Sequence, residues 1–208
     1  MDHMISIIVT FHNEEQSIIS CLQSIVAQTA QQWECVIVDN GSTDGGAFQV
    51  KNYLIDRRMR FFSLPEERPL AEVRATALEK TTGEWVMFVD GADYLTNDAV
   101  QALYLTLKKY GTLCAAANYY EVHGEKKRPA SYRREGLVKG RQVRRGELTV
   151  TTGNSIFARS VAYHPEEWPA LDVAYSDHII LFSGGQGGQL IKADRVPFWK
   201  KLLKWRKN

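Results

Sequence analysis

Short runs of apolar and β-branched residues alternate with helical patterns through the first hundred residues, and this alternation constrains the fold most strongly. Four of the runs have the length and composition of buried strands: residues 5–10, 34–39, 60–64 and 85–89. Helices are predicted from Asn13 onwards, with Gln16 completing a capping box, and over residues 70–82. Strands separated by helices form β-α-β units, so we predict an α/β fold with a mostly parallel sheet flanked by helices.

The second half of the chain has a less regular pattern. A helix is predicted over residues 98–110 and a strand over 114–122. The basic segment 126–145 lacks apolar periodicity and is predicted to be rich in loops. The apolar run 179–182 is predicted to start a short helix.

Composition and charge narrow the class of protein. The chain has 208 residues, enough for one domain with a substantial core, and its formal net charge is +2. No apolar run approaches the length of a membrane span, and no signal peptide is visible. Cys21, Cys35 and Cys114 are scattered in apolar contexts, as expected of reduced cysteines in a cytoplasmic protein. The charge balance argues against a nucleic-acid-binding protein.

Polar residues follow three of the predicted strands directly. They occupy residues 10–14, 39–44 and 90–93. Ligands of parallel α/β sheets bind at the carboxyl ends of the strands, so these three segments are expected to converge on one site. Asp39 and Asp90 could each simply cap a turn, but their joint occurrence favours a functional site.

Three motifs in order resemble the family-2 glycosyltransferases, the GT-A-fold enzymes of bacterial surface polysaccharide synthesis. ISIIVTFHNEE at residues 5–15 corresponds to the family pattern VSVIIPVYNEE, and IVDNGSTD at 37–44 corresponds to VVDDGSTD. VRATALEKTTGEWVMFVDGAD at 73–93 corresponds to ARNAGLEAAKGEYIAFLDADD. The resemblance covers the first hundred residues closely and the remainder loosely. It implies a single Rossmann-like GT-A domain.

The resemblance also implies a division of the chain and roles for particular residues. Residues 1–95 would bind the nucleotide-sugar, residues 96–195 would bind the acceptor, and residues 196–208 would form a basic amphipathic tail. The residues that match family positions in the nucleotide-sugar pocket are Thr10, His12, Glu14, Asp39, Arg74 and Asp90. His12 stands where an aromatic ring stacks on the base, and Asp39 where a carboxylate binds the base edge. Asp177 matches the general base of the family.

Metal binding is the open question at residues 90–93. The family's Asp-x-Asp motif holds a divalent metal such as Mn²⁺ or Mg²⁺, but its second position here is Ala92, which cannot ligate an ion. Asp90 and Asp93 could still hold the metal. Alternatively, cations of segment 126–145 or His178 could balance the charge of the leaving group. A third reading is that transfer activity has been lost while nucleotide binding remains.

The expected function is inverting transfer of a sugar from a nucleotide-sugar, with UDP the expected nucleotide, to a saccharide or lipid-linked saccharide. The alternative is a catalytically silent nucleotide-sugar-binding protein that regulates or scaffolds a partner. The tail alternates aromatic and basic residues, a composition suited to the inner face of an anionic membrane, although a helix docked on the core would explain it equally well. Homo-oligomerisation stays open.

Overall fold

The computed structural model describes residues 5–54, 56–123, 126–131, 133–144, 153–163 and 171–183. Within these ranges the chain forms a ten-stranded sheet with helices packed against it. The strands are β1 (Ile5–Phe11), β2 (Trp33–Asp39), β3 (Met59–Ser63), β4 (Trp85–Asp90), β5 (Asp93–Leu95), β6 (Cys114–His123), β7 (Lys126–Ser131), β8 (Gly136–Val138), β9 (Ser155–Ala158) and β10 (Val173–Ser183). The helices are α1 (Ile18–Val26), α2 (Gly46–Tyr53), α3 (Leu70–Glu79), α4 (Ala99–Tyr110), α5 (Gly140–Arg144) and α6 (Arg159–Ala162).

The sheet has a parallel half and a mixed half. Its strand order is β3-β2-β1-β4-β9-β6-β10-β5, with β7 paired to β6 and β8 paired to β10. The first four strands in that order are parallel. Beyond β4 the pairings are antiparallel except for that of β6 with β10. The predicted parallel sheet is therefore the amino-terminal half of the molecule.

The core of the parallel half lies on both faces of the central strands. Every residue of β1 and of β2 is buried, although successive side chains of a strand point to opposite faces. Both faces must therefore be covered by helices, as is usual for parallel strands. Helix α1 buries Ile18, Cys21, Leu22 and Ile25, which recur at helical spacing along one side.

Several predicted boundaries are wrong. Helix α1 begins at Ile18 rather than near Asn13, because Asn13 adopts φ +56° and cannot lie in a right-handed helix. Helix α3 ends at Glu79, before the predicted end at residue 82. Segment 126–145 contains β7, β8 and α5 instead of being loop-rich. Residues 179–182 belong to strand β10, not to a helix.

Two expectations about membranes remain untested by the fold. Within the described ranges, none of the helices is both long enough and apolar enough to cross a bilayer. The basic tail, residues 196–208, lies outside the described residues.

Candidate functional site

Three predicted site residues lie at the carboxyl ends of neighbouring parallel strands. Thr10 pairs with Asp90 across β1 and β4, and Phe11 pairs with Asp39 across β1 and β2. The backbone continues this pairing, since the Gly91 N–H donates to the Thr10 carbonyl at 2.9 Å. The sheet therefore brings Thr10, Asp39 and Asp90 to one edge, as the sequence predicted.

Some of the buried polar atoms that have no hydrogen-bond partner lie near this edge. The Oγ1 of Thr10 and the Nε and Nη1 of Arg74 are buried and have no hydrogen-bond partner. Arg74 projects from α3, is 5% exposed, and has its Cζ 5.3 Å from the centroid of the Phe88 ring. Native proteins rarely leave buried polar atoms unpaired, and a bound ligand is a common reason when they do.

Charges at the same edge interact. Burial lowers the pKa of Arg74 to about 10, while the carboxylates of Asp90 and Asp93 oppose that change. The guanidinium therefore keeps its charge at neutral pH. Burial raises the pKa of Asp90, and the backbone N–H of Ala92, 3.2 Å from Asp90 Oδ1, and the charge of Arg74 oppose that rise.

Glu14 belongs to the same cluster. Burial is the main cause that raises its pKa, and the hydroxyl of Ser17, which donates to its Oε2 at 3.0 Å, acts in the opposite direction. The negative charges of Asp90 and Asp44 raise the pKa further. The charge of Asp90 thus acts on Glu14, which puts Glu14 on the same side of the sheet as Asp90.

His12 is held in a defined tautomer next to the pocket. Its Nδ1 lies 2.8 Å from the carbonyl oxygen of Asn40, and an oxygen acceptor requires a proton on Nδ1. Its Nε2 lies 2.9 Å from the amide nitrogen of Asn13, which donates to it. The ring is half-buried. Stacking of His12 on a base stays a prediction.

Asp39 has a structural function in the turn after β2, one of the two interpretations that the sequence left open. Its side chain is buried, Oδ1 accepts from the Ser42 N–H at 2.9 Å, and Oδ2 accepts from the Ser63 hydroxyl at 2.7 Å. These bonds connect the turn after β2 to the end of β3. Each oxygen retains a further lone pair, so binding of a base edge also stays a prediction.

The loops after β1 and β2 are joined by a reciprocal set of hydrogen bonds. The Asn13 Oδ1 accepts from the Thr43 and Asp44 N–H groups at 2.8 and 3.3 Å, and the Asn13 N–H donates to the Ser42 hydroxyl at 2.9 Å. In return, the Glu15 N–H donates to Asp44 Oδ2 at 2.9 Å. We call this set the loop latch. The loop latch was not predicted from the sequence, although Asn and Asp side chains in turns commonly bond to backbone groups.

The acidic residues do not fit a resident divalent metal. Among the described residues there is no group of three or more His, Cys, Asp or Glu side chains that could hold one. Asp93 is buried at the start of β5, Ala92 contributes only a backbone N–H, and both Asp90 and Asp93 face the charge of Arg74. The carboxylates that the sequence offered as metal ligands therefore have a guanidinium as their neighbouring cation.

Asp177 lies in the mixed half of the sheet, in an irregular part of β10. The pairing of β10 with β6 shifts register between Ser176 and Ile179. The Asp177 side chain is exposed, and its backbone carbonyl accepts from Asn118 Nδ2 at 3.0 Å. His178 has its Nδ1 3.3 Å from Asp98 Oδ2, so this histidine is engaged by a carboxylate at the start of α4.

Residues of α4 and of the segment before β8 border Asp177. Lys109 forms an ion pair with Glu135, and the Tyr110 hydroxyl lies 3.0 Å from the same carboxylate. Glu135 raises the pKa of Lys109 most, and the charge of Asp177 adds to the effect. These residues were not predicted from the sequence. The charge of Asp177 thus acts on Lys109 and Tyr110, which do not belong to the cluster at Thr10, Arg74 and Asp90.

The fold is an α/β sheet of the GT-A type, with a cluster of polar residues at the carboxyl edge of its parallel strands. Residues 6–164 match the family described as glycosyl transferase family 2. The chain belongs to this family.

Three bacterial relatives are similar to part of this chain. The chain is 35% identical over 121 residues to glycosyltransferase GlyA of Streptococcus pneumoniae, covering 58% of this chain and 17% of that protein. It is 37% identical over 100 residues to a teichoic acid poly(glycerol phosphate) polymerase of Staphylococcus epidermidis, covering 46% and 14% of the two chains. It is 29% identical over 108 residues to the Escherichia coli glucosyltransferase WfgD, covering 51% and 42%. This chain therefore matches less than half the length of each of these relatives.

Among solved structures, S. aureus TarS 1–349 in complex with UDP-GlcNAc superposes with a TM-score of 0.75 at 19% identity, covering 89% of this chain and 60% of that chain. The full-length TarS structure gives a TM-score of 0.74 at 19% identity, covering 88% and 37%. This similarity confirms the predicted GT-A fold.

Proposed function

We propose that this chain transfers a sugar from a UDP-sugar to a saccharide or lipid-linked saccharide, with inversion at the anomeric carbon. The donor would bind at the carboxyl ends of β1, β2 and β4. Residues 1–95 would then form the nucleotide-sugar half and residues 96–195 the acceptor half. Family membership makes sugar transfer the expected class of reaction.

The observation that carries this proposal is the set of unpaired buried groups beside Asp90. Thr10 Oγ1 and the Arg74 guanidinium offer donors where the parallel strands end, and the oxygens of a nucleotide would satisfy them. The structures of TarS with UDP-GlcNAc and with UDP support a uridine nucleotide, since TarS shares this fold.

The proposed reaction is a single displacement. The Asp177 carboxylate takes the proton of an acceptor hydroxyl, and that oxygen forms a bond to the anomeric carbon. The bond from the anomeric carbon to the diphosphate oxygen breaks, and UDP leaves with the electron pair. Asp177 suits the role of base because its carboxylate is exposed while its backbone is anchored by Asn118.

The names of two relatives support the proposed acceptor and location. The name of WfgD describes a glucosyltransferase acting on a diphosphoundecaprenol-linked sugar, and the Staphylococcus epidermidis relative is named a teichoic acid polymerase. A lipid-linked acceptor would place this chain at the inner face of the cytoplasmic membrane, with the basic tail as the contact. We include that placement in the proposal.

The second candidate is a silent nucleotide-sugar-binding protein, and Ala92 is the observation that favours it. Assays with UDP-, GDP- and TDP-sugars, with and without Mn²⁺, separate the two. Turnover of a UDP-sugar supports the enzyme. Tight nucleotide binding without turnover of any of these donors, also in the presence of cell-envelope acceptor extracts, would establish the silent protein.

Asp177→Asn tests the assigned base. The substitution keeps the size of the side chain and removes its proton affinity, so kcat should fall by about a thousandfold or more while UDP affinity changes less than twofold. Glu135→Gln is the matched control, because it removes a neighbouring carboxylate with no proposed catalytic role. If Asp177→Asn lost nucleotide binding together with turnover, Asp177 would be a structural residue.

A further inference from the structure

We propose that this chain binds its nucleotide donor without a divalent metal, and that the Arg74 guanidinium supplies the fixed positive charge of the donor pocket. The inference rests on the proposed nucleotide-sugar function and concerns the same site. It follows from two features of the chain itself, the buried guanidinium of Arg74 and the methyl group of Ala92.

Arg74 is a buried side chain that carries a positive charge before any ligand binds. Its side chain is 5% exposed, and its Nε and Nη1 are buried without hydrogen-bond partners. The charge interactions of the guanidinium are with Asp90 and Asp93, on the side where β4 ends. An arginine has five N–H donors, and leaving two of its nitrogens unpaired in the interior destabilises the folded protein. Anionic oxygens of a bound nucleotide would satisfy them.

Ala92 removes the ligand that a metal would need most. It stands between the two remaining carboxylates, it is 5% exposed, and its backbone N–H donates to Asp90 Oδ1 at 3.2 Å. Hard divalent ions in proteins require several oxygen ligands, and carboxylates are the strongest among them. The positive charge of Arg74 offsets part of the negative charge of Asp90 and Asp93, so these two carboxylates attract Mn²⁺ less than they would without the guanidinium.

Fixed donors and a metal ion are alternative means of stabilising a diphosphate. Both place positive charge next to the phosphate oxygens, and both stabilise the charge that develops on the leaving group. Arg74 is in place before the donor arrives, whereas a metal must be bound together with it. A pocket that has a buried guanidinium but lacks a third metal ligand is suited to stabilising the diphosphate with fixed donors.

Isothermal titration of UDP into the whole chain, once with EDTA and once with Mn²⁺, tests the inference. We expect the two dissociation constants to agree within about twofold. Ala92→Asp restores a carboxylate and should make UDP bind at least tenfold more tightly with Mn²⁺ than with EDTA. Ala92→Asn is the matched control, with the same size but no charge, and should behave like the unmodified chain.

Arg74 is tested in the same titration. Arg74→Gln removes the charge and should weaken UDP binding at least tenfold in EDTA, and Arg74→Lys, which keeps the charge, should weaken it less. Thermal unfolding verifies that each variant is folded, and if Arg74→Gln does not fold, the Arg74→Lys variant and the unmodified chain complete the test.

The outcomes separate the two proposals. UDP binding that strengthens tenfold or more with Mn²⁺ in the unmodified chain would overturn the metal-independent pocket and leave the glycosyltransferase proposal intact. UDP affinity unchanged in Arg74→Gln would overturn the role of Arg74. Absence of UDP, GDP and TDP binding in both buffers would overturn the nucleotide-sugar function, and the further inference with it.

Discussion

Asn118 has a fully buried amide whose four hydrogen-bonding positions are all occupied. Its Oδ1 accepts from the Arg133 N–H at 2.8 Å and from the Tyr175 hydroxyl at 2.9 Å. Its Nδ2 donates to the carbonyl oxygens of Arg133 and Asp177, each at 3.0 Å. One side chain thus joins β6 to the irregular part of β10 and fixes the backbone that carries the proposed base.

Asn118→Ala should lower both stability and turnover. The change leaves several buried backbone groups unpaired, so we expect the free energy of unfolding to fall by about 3 kcal/mol. Turnover should fall at least tenfold with little change in the KM for the donor, because the backbone that loses its support, at Arg133 and Asp177, lies outside the proposed donor site. Chemical denaturation and steady-state kinetics measure the two effects.

Tyr175→Phe is the matched comparison for Asn118. It removes one hydrogen bond to the same amide and keeps the bond to the Asp177 carbonyl, so stability should fall by about 1 kcal/mol while turnover stays close to that of the unmodified chain. Normal turnover in a folded Asn118→Ala variant would show that Asn118 does not position the base.

At the residue scale, the sequence could predict those residues of the site that belong to the three motifs. Thr10, Glu14, Arg74 and Asp90 come together as expected, because each lies at or near the end of a strand or on the helix that borders it. Asn118 was missed because a lone polar residue in an apolar strand does not identify its partners. The one indication in the sequence was the position of Asn118 within the mostly apolar run CAAANYY. An amide buried in such a run needs hydrogen-bond partners.

At the scale of elements, the loop latch joins the turns that follow β1 and β2. Asn13 makes it possible because it adopts φ +56°, which asparagine tolerates better than most residues. Gly41, at φ +70°, allows the adjacent turn to pass close to Glu66, whose carbonyl carbon would lie 2.4 Å from a Cβ at this position. The two loops that border the proposed donor site are therefore held against each other.

Asn13→Gly and Asn13→Ala separate the hydrogen bonds of the latch from its backbone conformation. Glycine accepts the positive φ but loses the side-chain bonds, so stability should fall by about 1 kcal/mol. Alanine also has to adopt the left-handed conformation, which adds about 1 kcal/mol. Both variants should bind UDP several-fold more weakly by calorimetry. Unchanged UDP affinity in both would show that the latch does not shape the pocket.

Strands and helices were predicted best where burial is complete. The runs that became β1, β2 and β4 are bounded by turns and rich in β-branched residues, and α4 begins one residue after its predicted start. Strand β10 was mistaken for a helix because a short apolar run does not distinguish the two by periodicity. Strand β7 was missed because it pairs only with β6 and contains Lys126, Lys127 and Arg128, which are typical of edge strands.

At the scale of the whole molecule, the change from parallel to mixed pairing lies between the two proposed sites. The proposed donor site lies where β1, β2 and β4 end, and the proposed base lies in β10 beyond β9 and β6. This order could not be predicted from sequence, because β9 and β10 pair with strands distant in the chain. The proposed division into a donor half and an acceptor half corresponds to this change in the sheet.

The most direct test of the whole account is a crystal structure of the chain with UDP. We predict density for the nucleotide at the carboxyl ends of β1, β2 and β4, with polar contacts from Thr10 Oγ1 and from the Arg74 guanidinium. Saturating UDP that leaves this edge empty, or that binds elsewhere on the molecule, would contradict the assignment of the donor site.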